Sequence, residues 1–179
     1  MRIYHEHIYP WLVKAFGDPN PIQGVRERIV PLAEGTVLEI GVGPGVNFTH
    51  YDPKKVGRVY ALEPNRGMIR LAEQDRRQTE LNIEFFDLPG ERIPLEDTSV
   101  DTVLSTFTLW RLDAFWRPTG KLILFELGLA PEARRQCWQR WSEPIPHYLF
   151  EGCHTIRNIA LICALHQPDK TERRVCSAK

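Results

Sequence analysis

The chain has 179 residues, of which 42% are hydrophobic and 26% charged, and its 23 lysines and arginines balance its 23 acidic residues. This length predicts one domain, since domains usually have about 100–200 residues, and this composition is typical of a folded globular protein rather than a disordered or membrane-embedded one. A formal charge of zero provides no long-range attraction to phosphate backbones, so nucleic acid is not an expected partner.

The N-terminus and the cysteines indicate location and redox state. Glu6 and Pro10 interrupt the apolar run that a signal peptide needs, and no stretch reaches the ~18 apolar residues of a membrane-spanning helix. We therefore expect a cytoplasmic protein without an integral membrane segment. His5 and His7 diverge at a helix start, so we assign no metal. The cysteines lack the two-residue spacing of zinc and redox motifs, which predicts reduced thiols at Cys137, Cys153, Cys163 and Cys176.

Apolar periodicity predicts two N-terminal helices, over residues 8–16 and 23–32, followed by a regular alternation of strands and helices. Five apolar runs have strand length: 36–40, 58–62, 82–86, 101–105 and 121–125. A helical stretch at 65–77 separates the second and third strands, and helices opening at Pro131 and covering 155–166 follow the fifth. Alternation of this kind predicts a doubly wound α/β fold with a mostly parallel sheet covered on both faces.

The predicted organisation is one domain over residues 1–166, followed by a polar tail. Residues 1–34 form the N-terminal helices, residues 35–128 the ligand-binding core and residues 129–166 the C-terminal helices. The tail, residues 167–179, has no strand alternation and is predicted to be disordered.

The first predicted strand leads into Glu39-Ile40-Gly41-Val42-Gly43-Pro44-Gly45, at the strand end where open α/β sheets bind ligands. Glycines at 41, 43 and 45 let the backbone turn sharply and let a ligand approach main-chain N–H groups, or they form only a tight turn. A dinucleotide fingerprint would need its third glycine at position 46, which is Val46. Glu39 also repels a pyrophosphate and attracts an ammonium group.

Two further carboxylates follow predicted strands. Glu63 ends the second strand, 22 residues after Gly41, and a carboxylate there can accept hydrogen bonds from both hydroxyls of a ribose, a feature shared with NAD enzymes. Asp87 ends the third strand, where it serves either as an acceptor for an adenine amino group or as a turn residue.

These motifs, in this order, resemble the class I S-adenosylmethionine-dependent methyltransferases, and within them the type 11 group that includes quinone-biosynthesis and alkyl-thiol or lipid methyltransferases. The resemblance covers roughly residues 1–160. The segments that carry it are VLEIGVGPGVNF at 37–48, VYALEPN at 59–65, FFDLPGERIPLEDTSVDTVLSTFTL at 85–109, RPTGKLILFELG at 117–128 and WQRWSEPIPHYLFEGCHTIR at 138–157. Each falls at its expected strand end, and the ordered set is more specific than any one motif.

The resemblance implies a binding site for S-adenosylmethionine. Glu39 and the loop glycines Gly41, Gly43 and Gly45 would surround its methionine part, and Glu63 would hold the ribose hydroxyls. Asp87 would accept from the adenine amino group, with the Leu88 backbone beside the ring, and Thr106 would lie near the methionine end. Apolar residues after the fourth strand either line an acceptor pocket or pack in the core: Phe107, Leu109 and Trp110.

No catalytic residue is assigned, because the resemblance implies a donor that is already reactive and because holding both partners in line supplies much of the rate. A base is useful only where the acceptor must lose a proton. Candidates for that base, each equally readable as a structural residue, are His154, Tyr4, Tyr9 and Tyr148. Cys153 is interpreted as a buried thiol.

The chain departs from the family pattern at two places. Residues 107–120, between the fourth and fifth strands, form a shortened crossover, and the polar C-terminus predicts an incomplete final strand pair. The sheet edge left exposed favours association, so we expect a homodimer or marginal stability.

The first functional hypothesis is methyl transfer from S-adenosylmethionine to a small apolar or amphipathic acceptor. The second is a remnant that binds the cofactor without transferring methyl groups. The third, against which Val46 and Glu39 argue, is an NAD-dependent oxidoreductase.

Overall fold

The computed structural model describes residues 4–16, 18–87, 95–96, 98–107, 116–125 and 132–142. Within them, five strands alternate with helices as the apolar runs predict. The strands are β1 (Gly35–Ile40), β2 (Val56–Leu62), β3 (Ile83–Phe86), β4 (Val100–Thr106) and β5 (Trp116–Phe125), and the α-helices are α1 (Tyr9–Phe16), α2 (Asn20–Ile29), α3 (Arg66–Arg76) and α4 (Ala133–Ser142). Short helical turns cover Tyr4–Ile8, Val30–Leu32 and Phe48–His50.

The five strands form one sheet in the order β3-β2-β1-β4-β5, and all four neighbouring pairs are parallel. β1 is central, because it pairs with β2 on one side and with β4 on the other. This arrangement confirms the predicted α/β fold with a Rossmann-like sheet. Strands buried on both faces have near-continuous apolar sequences, which explains why these runs are recognisable.

Successive residues of β1 enter two different cores, as the two-residue period of a strand requires. Val37 belongs to a cluster that also contains Ile29 of α2 and Ala72 of α3, so both helices cover that face of the sheet. Leu38 and Ile40 belong to a second cluster on the opposite face, with Leu62, Val100 and Val103. Glu39 shares the face of Val37 and therefore points toward the α2 side.

The N-terminal helix forms where predicted, but part of its apolar stripe remains exposed. Ile8 is 49% and Trp11 65% exposed. The contacts to α3 come from other residues of the same segment: Pro10 is buried beside Gly67, Lys14 pairs with Asp75 at 3.6 Å, and Arg70 donates to the Glu6 carbonyl at 2.7 Å. The periodicity therefore predicts the helix correctly but not the side that faces the domain.

β5 is longer than the predicted strand over residues 121–125, because it begins at Trp116. Its register against β4 is irregular: Trp116 lies opposite Val100, whereas Lys121 lies opposite Thr102. Such a bulge accommodates Pro118, which has no N–H for the ladder and which makes the segment resemble a turn in sequence. The connection from β4 is consequently shorter than predicted and is confined to residues 107–115.

Several predictions concern residues outside the described ranges. They include the helix over 155–166, the tail at 167–179 and the incomplete final strand pair. Among the described residues, no helix is long and apolar enough to cross a membrane. The same residues contain no group of three or more histidine, cysteine, aspartate or glutamate side chains arranged to hold a metal.

Candidate functional site

The strand order creates a crevice at the carboxyl edge of the sheet. The chain leaves β1 toward β2 on one side and returns through β4 on the other, and ligands of open α/β sheets bind at such a switch point. The loop of residues 41–45 follows β1, and Thr106 and Phe107 stand at the end of β4. The two sides of the crevice therefore come from distant parts of the sequence.

The three loop glycines all have left-handed backbone conformations, with φ of 67° at Gly41, 58° at Gly43 and 87° at Gly45. Residues other than glycine rarely adopt such backbone angles. Gly45 also lacks room, because a Cβ there would lie 2.9 Å from the Cα of Ala72 on α3. Gly43 differs: a Cβ there would meet no atom of the described residues within 4 Å, so none of them fills the space beside the loop at this position.

Glu63, at the end of β2, connects the glycine loop to the start of α3. Its Oε2 accepts from the backbone N–H of Gly43 at 2.8 Å, and its Oε1 accepts from the backbone N–H of Asn65 at 2.9 Å. The side chain is 7% exposed. Each carboxylate oxygen can accept more than one hydrogen bond, so a carboxylate at this position is chemically suited to bind ribose hydroxyls.

The start of α3 is fixed by a side-chain cap. The Oδ1 of Asn65 accepts from the backbone N–H groups of Gly67 at 2.8 Å and Met68 at 3.3 Å, which satisfies two donors that a helix start leaves unpaired. Asn65 therefore orders the first turn of α3 and supplies one of the two backbone donors to Glu63.

Asp87 lies at the end of β3, the next strand outward, as predicted. Its Oδ2 accepts a hydrogen bond from the Arg66 Nε at 2.6 Å, and both side chains are exposed. A solvent-exposed ion pair contributes little to stability, about 0–1 kcal/mol, so this pairing is easily exchanged for another. Leu88 lies outside the described residues.

Glu39 is fully buried beneath the loop, at 0% exposure. Its Oε1 accepts from the Asn47 side-chain amide at 2.7 Å and its Oε2 from the Tyr51 hydroxyl at 2.8 Å. Burial raises the pKa of the Glu39 carboxyl from 4.5 to about 7, although both hydrogen bonds and the charge of Arg26 lower it. Burial, reinforced by Glu39, raises the pKa of Tyr51 well above its ordinary 10, so Tyr51 keeps its proton and donates.

Arg26 of α2 enters the same network from the other side and is itself only 5% exposed. Its Nη1 donates to the Asn47 Oδ1 at 2.7 Å and to the Thr106 Oγ1 at 3.1 Å. Its Nε donates to Asp18 at 2.9 Å, which pairs the buried positive charge. An unpaired charge at such a position would be costly.

The structure brings the predicted site residues to one edge of the sheet. Glu39, Gly41, Gly43 and Gly45 end β1 or follow it, and the ends of β2, β3 and β4 carry Glu63, Asp87 and Thr106. Their contacts with a ligand remain predictions. Both Glu39 carboxylate oxygens already accept hydrogen bonds from protein side chains. Its predicted interaction with a ligand amine would therefore act through the charge of the carboxylate, not through a hydrogen bond that the structure shows.

Sequence reasoning missed three residues of this network: Arg26, Asn47 and Tyr51. Asn47 follows the glycine loop within the quoted motif, but nothing in its local sequence indicates that it joins Glu39 to Arg26. Arg26 and Thr106 are 80 positions apart, so their contact depends on the tertiary fold.

Most of the candidate bases and acceptor-pocket residues lie outside the described ranges: His154, Tyr148, Leu109 and Trp110. The predicted buried thiol, Cys153, also lies outside them. Tyr4 and Tyr9 neighbour each other, with ring centroids 6.4 Å apart. Phe107 packs against Phe125, with ring centroids 4.7 Å apart, and beneath the Arg26 guanidinium. These contacts support the core-packing interpretation of Phe107.

The described residues fit an adenosyl ligand with a cationic end. No described residue fills the space beside Gly43, and the neighbouring Glu63 carboxylate is at the strand end where a ribose is held in such folds. The fold defines a Rossmann-like domain, and its candidate ligand site lies at the switch point between β1 and β4.

Comparison with known proteins identifies the class more closely. Residues 38–119 match the family described as "Methyltransferase domain". The chain is 30% identical over 138 residues to rat thiol S-methyltransferase TMT1B, a match that covers 69% of this chain and 56% of the rat protein. It is 29% identical over 151 residues to human thiol S-methyltransferase TMT1A, covering 74% of this chain and 59% of the human protein. The chain thus spans little more than half the length of these relatives.

Solved structures show the same fold. A Bacillus halodurans protein described as a methyltransferase superposes with a TM-score of 0.62 at 12% identity, covering 79% of this chain and 65% of that one. An Anabaena variabilis protein described as a methyltransferase from an antibiotic biosynthesis pathway superposes with a TM-score of 0.54 at 21% identity, covering 83% of this chain and 60% of that one. These structures show the fold alone. The family match and the thiol S-methyltransferase relatives show that residues 38–119 are a methyltransferase domain of the class I S-adenosylmethionine-dependent family.

Proposed function

We propose that this chain binds S-adenosylmethionine at the carboxyl edge of its sheet and transfers the methyl group to a small acceptor. The observation that carries the proposal is the contact between Gly43 and Glu63, which joins a ligand-accessible loop to a carboxylate at the end of the next strand. A loop of this kind binds a ligand through backbone N–H groups, and the carboxylate adds acceptors for hydroxyls.

Each part of the site has a role in this proposal. Glu63 holds the ribose hydroxyls, and Asp87 accepts from the adenine amino group after exchange of its exposed pairing with Arg66. The loop glycines and Thr106 border the methionine end, where the buried Glu39 carboxyl supplies negative charge whenever it is ionised. When bound, the cofactor supplies a methyl group on a sulfonium, which an acceptor lone pair takes in line as the carbon–sulfur bond breaks to leave a neutral thioether.

We further propose that the acceptor is a small thiol. The relatives at about 30% identity carry the name thiol S-methyltransferase. A thiol also suits a site that provides orientation rather than a strong base. A cysteine-type thiol has a pKa of about 8.5, so a few per cent of it is already the nucleophilic thiolate near neutral pH, and its proton passes to water. An alcohol acceptor would need a base to remove its proton.

The test is an assay of methyl transfer from S-adenosylmethionine to a series of apolar thiols and to alcohols of the same carbon skeleton, read by mass spectrometry of the products. Methylation of the thiols alone is the expected result. Methylation of the alcohols alone would retain methyl transfer and overturn the thiol proposal. The Glu63→Ala variant serves as the control for transfer that depends on the site.

One alternative has a structural basis, namely a protein that binds the cofactor without turnover. It is favoured by the length of the connection between β4 and β5, residues 107–115, which is shorter than the roughly dozen residues that a crossover between parallel strands usually needs. Cofactor binding without methylation of any thiol or alcohol would identify this alternative.

A further inference from the structure

We propose that Arg26 is a positioning residue that sets the separation between the two sides of the crevice and thereby the affinity for the methionine end of the cofactor. This inference rests on the proposed function. It concerns a residue of α2, a helix that precedes the sheet and contributes none of the motifs that define the family.

The geometry carries the proposal because one nitrogen of Arg26 contacts both sides of the crevice. Its Nη1 donates to Asn47, just beyond the glycine loop, at 2.7 Å and to Thr106, the last residue of β4, at 3.1 Å. The Asn47 amide also lies 3.3 Å from the same Thr106 oxygen. A change in the distance between the loop and the end of β4 would break at least one of these contacts.

Arg26 is in turn held rigidly. Its Nε donates to Asp18, which precedes α2, and the planar guanidinium fixes the angle between that bond and the two made by Nη1. The side chain is buried, so water does not compete strongly for these donors. The position of Nη1 therefore follows the position of α2 on the sheet.

A second effect of Arg26 is on the residue that follows β4. Phe107 has φ of 64°, a conformation that is uncommon for a residue with a bulky side chain and that is found where the surroundings enforce it. The Arg26 guanidinium lies over its ring at 5.5 Å, Phe125 packs beside it, and its backbone N–H donates to the Phe125 carbonyl at 2.8 Å. Arg26 thus helps to fix the strained backbone at the edge of the crevice.

Arg26 and Glu63 should consequently affect different parts of the ligand. The Arg26 contacts lie at Asn47 and Thr106, beside the residues proposed for the methionine end, whereas Glu63 and Asp87 lie toward β2 and β3. The binding affinity of a ligand that lacks the amino-acid part should therefore not depend on Arg26. This difference separates a positioning role from a general contribution to folding.

The experiment compares the affinities of S-adenosylhomocysteine and methylthioadenosine, which has the adenosine and the thioether but no amino acid, by calorimetry. The variants are Arg26→Gln, Arg26→Lys, Thr106→Val and, as a matched control on the same helix, Arg28→Gln. Arg28 is exposed and, within the described part of the chain, donates to the Gly24 carbonyl of its own helix. Thermal unfolding of each variant establishes that titrations are made on folded protein.

We expect Arg26→Gln to weaken S-adenosylhomocysteine binding by about tenfold or more, the scale of one or two lost hydrogen bonds, with methylthioadenosine binding within about twofold of the unmodified chain. Arg26→Lys should restore part of the affinity, and Arg28→Gln should change neither. Thr106→Val removes the hydroxyl that accepts from Arg26 and Asn47 but leaves the buried Arg26–Asn47 and Arg26–Asp18 hydrogen bonds, so it should give a smaller loss of the same kind. It therefore tests the inference even if Arg26→Gln does not fold.

The positioning role would be overturned if Arg26→Gln and Thr106→Val lost affinity for both ligands equally, or if they lost affinity for neither ligand. If the unmodified chain binds neither ligand, the proposed function fails and this inference fails with it. If the unmodified chain binds both and the variants behave like it, only the inference about Arg26 fails.

Discussion

The Glu63 carboxylate accepts the backbone N–H of Gly43 at 2.8 Å, so a side chain at the end of β2 fixes the turn that follows β1. The other carboxylate oxygen accepts from Asn65 at the start of α3. Glu63 is thus both a proposed ligand-binding group and the connection between two elements of the site, which explains its burial despite its charge.

Replacing Glu63 with alanine should weaken S-adenosylmethionine binding by at least about tenfold, because hydrogen bonds to a charged group contribute about 1.5–3 kcal/mol. The variant loses the ribose acceptors and also releases the Gly43 N–H. Calorimetric titration measures the effect. Glu73→Ala is the control, since Glu73 pairs with Arg76 within α3 and, among the described residues, makes no hydrogen bond or ion pair with Gly43 or Glu63, so affinity should be unchanged. Unchanged affinity in Glu63→Ala would refute its ribose role.

Two glycine substitutions should separate folding from binding. Gly45→Ala places a Cβ against Ala72 and strains a φ of 87°, so it should lower the free energy of unfolding by well over the roughly 1–2 kcal/mol cost of the left-handed backbone alone. The methyl group of Gly43→Ala would contact no described residue, so this variant should lose only the roughly 1–2 kcal/mol of the left-handed backbone from its free energy of unfolding. The same methyl group would, however, occupy the proposed ligand space.

Urea unfolding and cofactor titration of the two variants check this difference. Gly24→Ala, in open space on α2 with no left-handed backbone, is the control for adding a methyl group. Gly43→Ala should bind S-adenosylmethionine at least about tenfold more weakly while staying folded, if the ligand approaches the backbone at position 43. Full affinity in Gly43→Ala would contradict that approach.

The buried Glu39 should make stability depend on pH. Its pKa is raised to about 7 in the folded chain, so between about pH 4.5 and 7 the unfolded chain ionises while the folded one retains the proton. Stability therefore falls as pH rises through this window, by at most about 3–4 kcal/mol at about 1.4 kcal/mol per pKa unit. Below pH 4.5 the carboxyl is neutral in both states and contributes no such dependence.

Glu39→Gln removes this titration. Tyr51 can reverse its hydroxyl to accept from the new amide, so the network retains partners. The free energy of unfolding of Glu39→Gln, relative to the unmodified chain, should be higher at pH 8 than at pH 5. Glu27→Gln, on the exposed side of α2, should show no such difference. An equal effect of Glu39→Gln at both pH values would indicate that the carboxyl does not titrate in this range.

Asp87 should determine recognition of the adenine amino group. In the unmodified chain, S-adenosylhomocysteine should bind about tenfold or more tightly than its inosine analogue, which has an oxygen in place of that amino group. Asp87→Ala should remove most of this preference. Arg66→Gln, which breaks the exposed pair from the other side, should keep it. Retention of the full preference in Asp87→Ala would place the adenine contact elsewhere.

The sequence predicted the parts of the fold that depend on local patterns. Buried parallel strands are apolar throughout, which made β1 to β4 recognisable to within two residues, and the helical stretch predicted over 65–77 matches α3 to within one residue. The start of β5 was missed because Pro118 and Gly120 are typical of turns, whereas the structure accommodates them in an irregular register at the side of the sheet.

The candidate site was predictable only where residues follow strands. Glu39, Glu63 and Asp87 end or directly follow strands, so their convergence on one edge follows from the parallel order. The roles of Arg26 and Asn47 did not follow, because a polar residue in a helix or loop gives no local indication of its partner. Only the fold, which brings α2 against the crevice, places Arg26 on Thr106.

The most direct test of the central claim is calorimetric titration of the purified chain with S-adenosylmethionine, with S-adenosylhomocysteine and NAD in parallel. Saturable binding of both adenosyl ligands, no binding of NAD and loss of affinity in Glu63→Ala are the expected results. NAD binding in preference to the adenosyl ligands, or no binding of any of the three by folded protein, would contradict the proposal that this edge of the sheet holds S-adenosylmethionine.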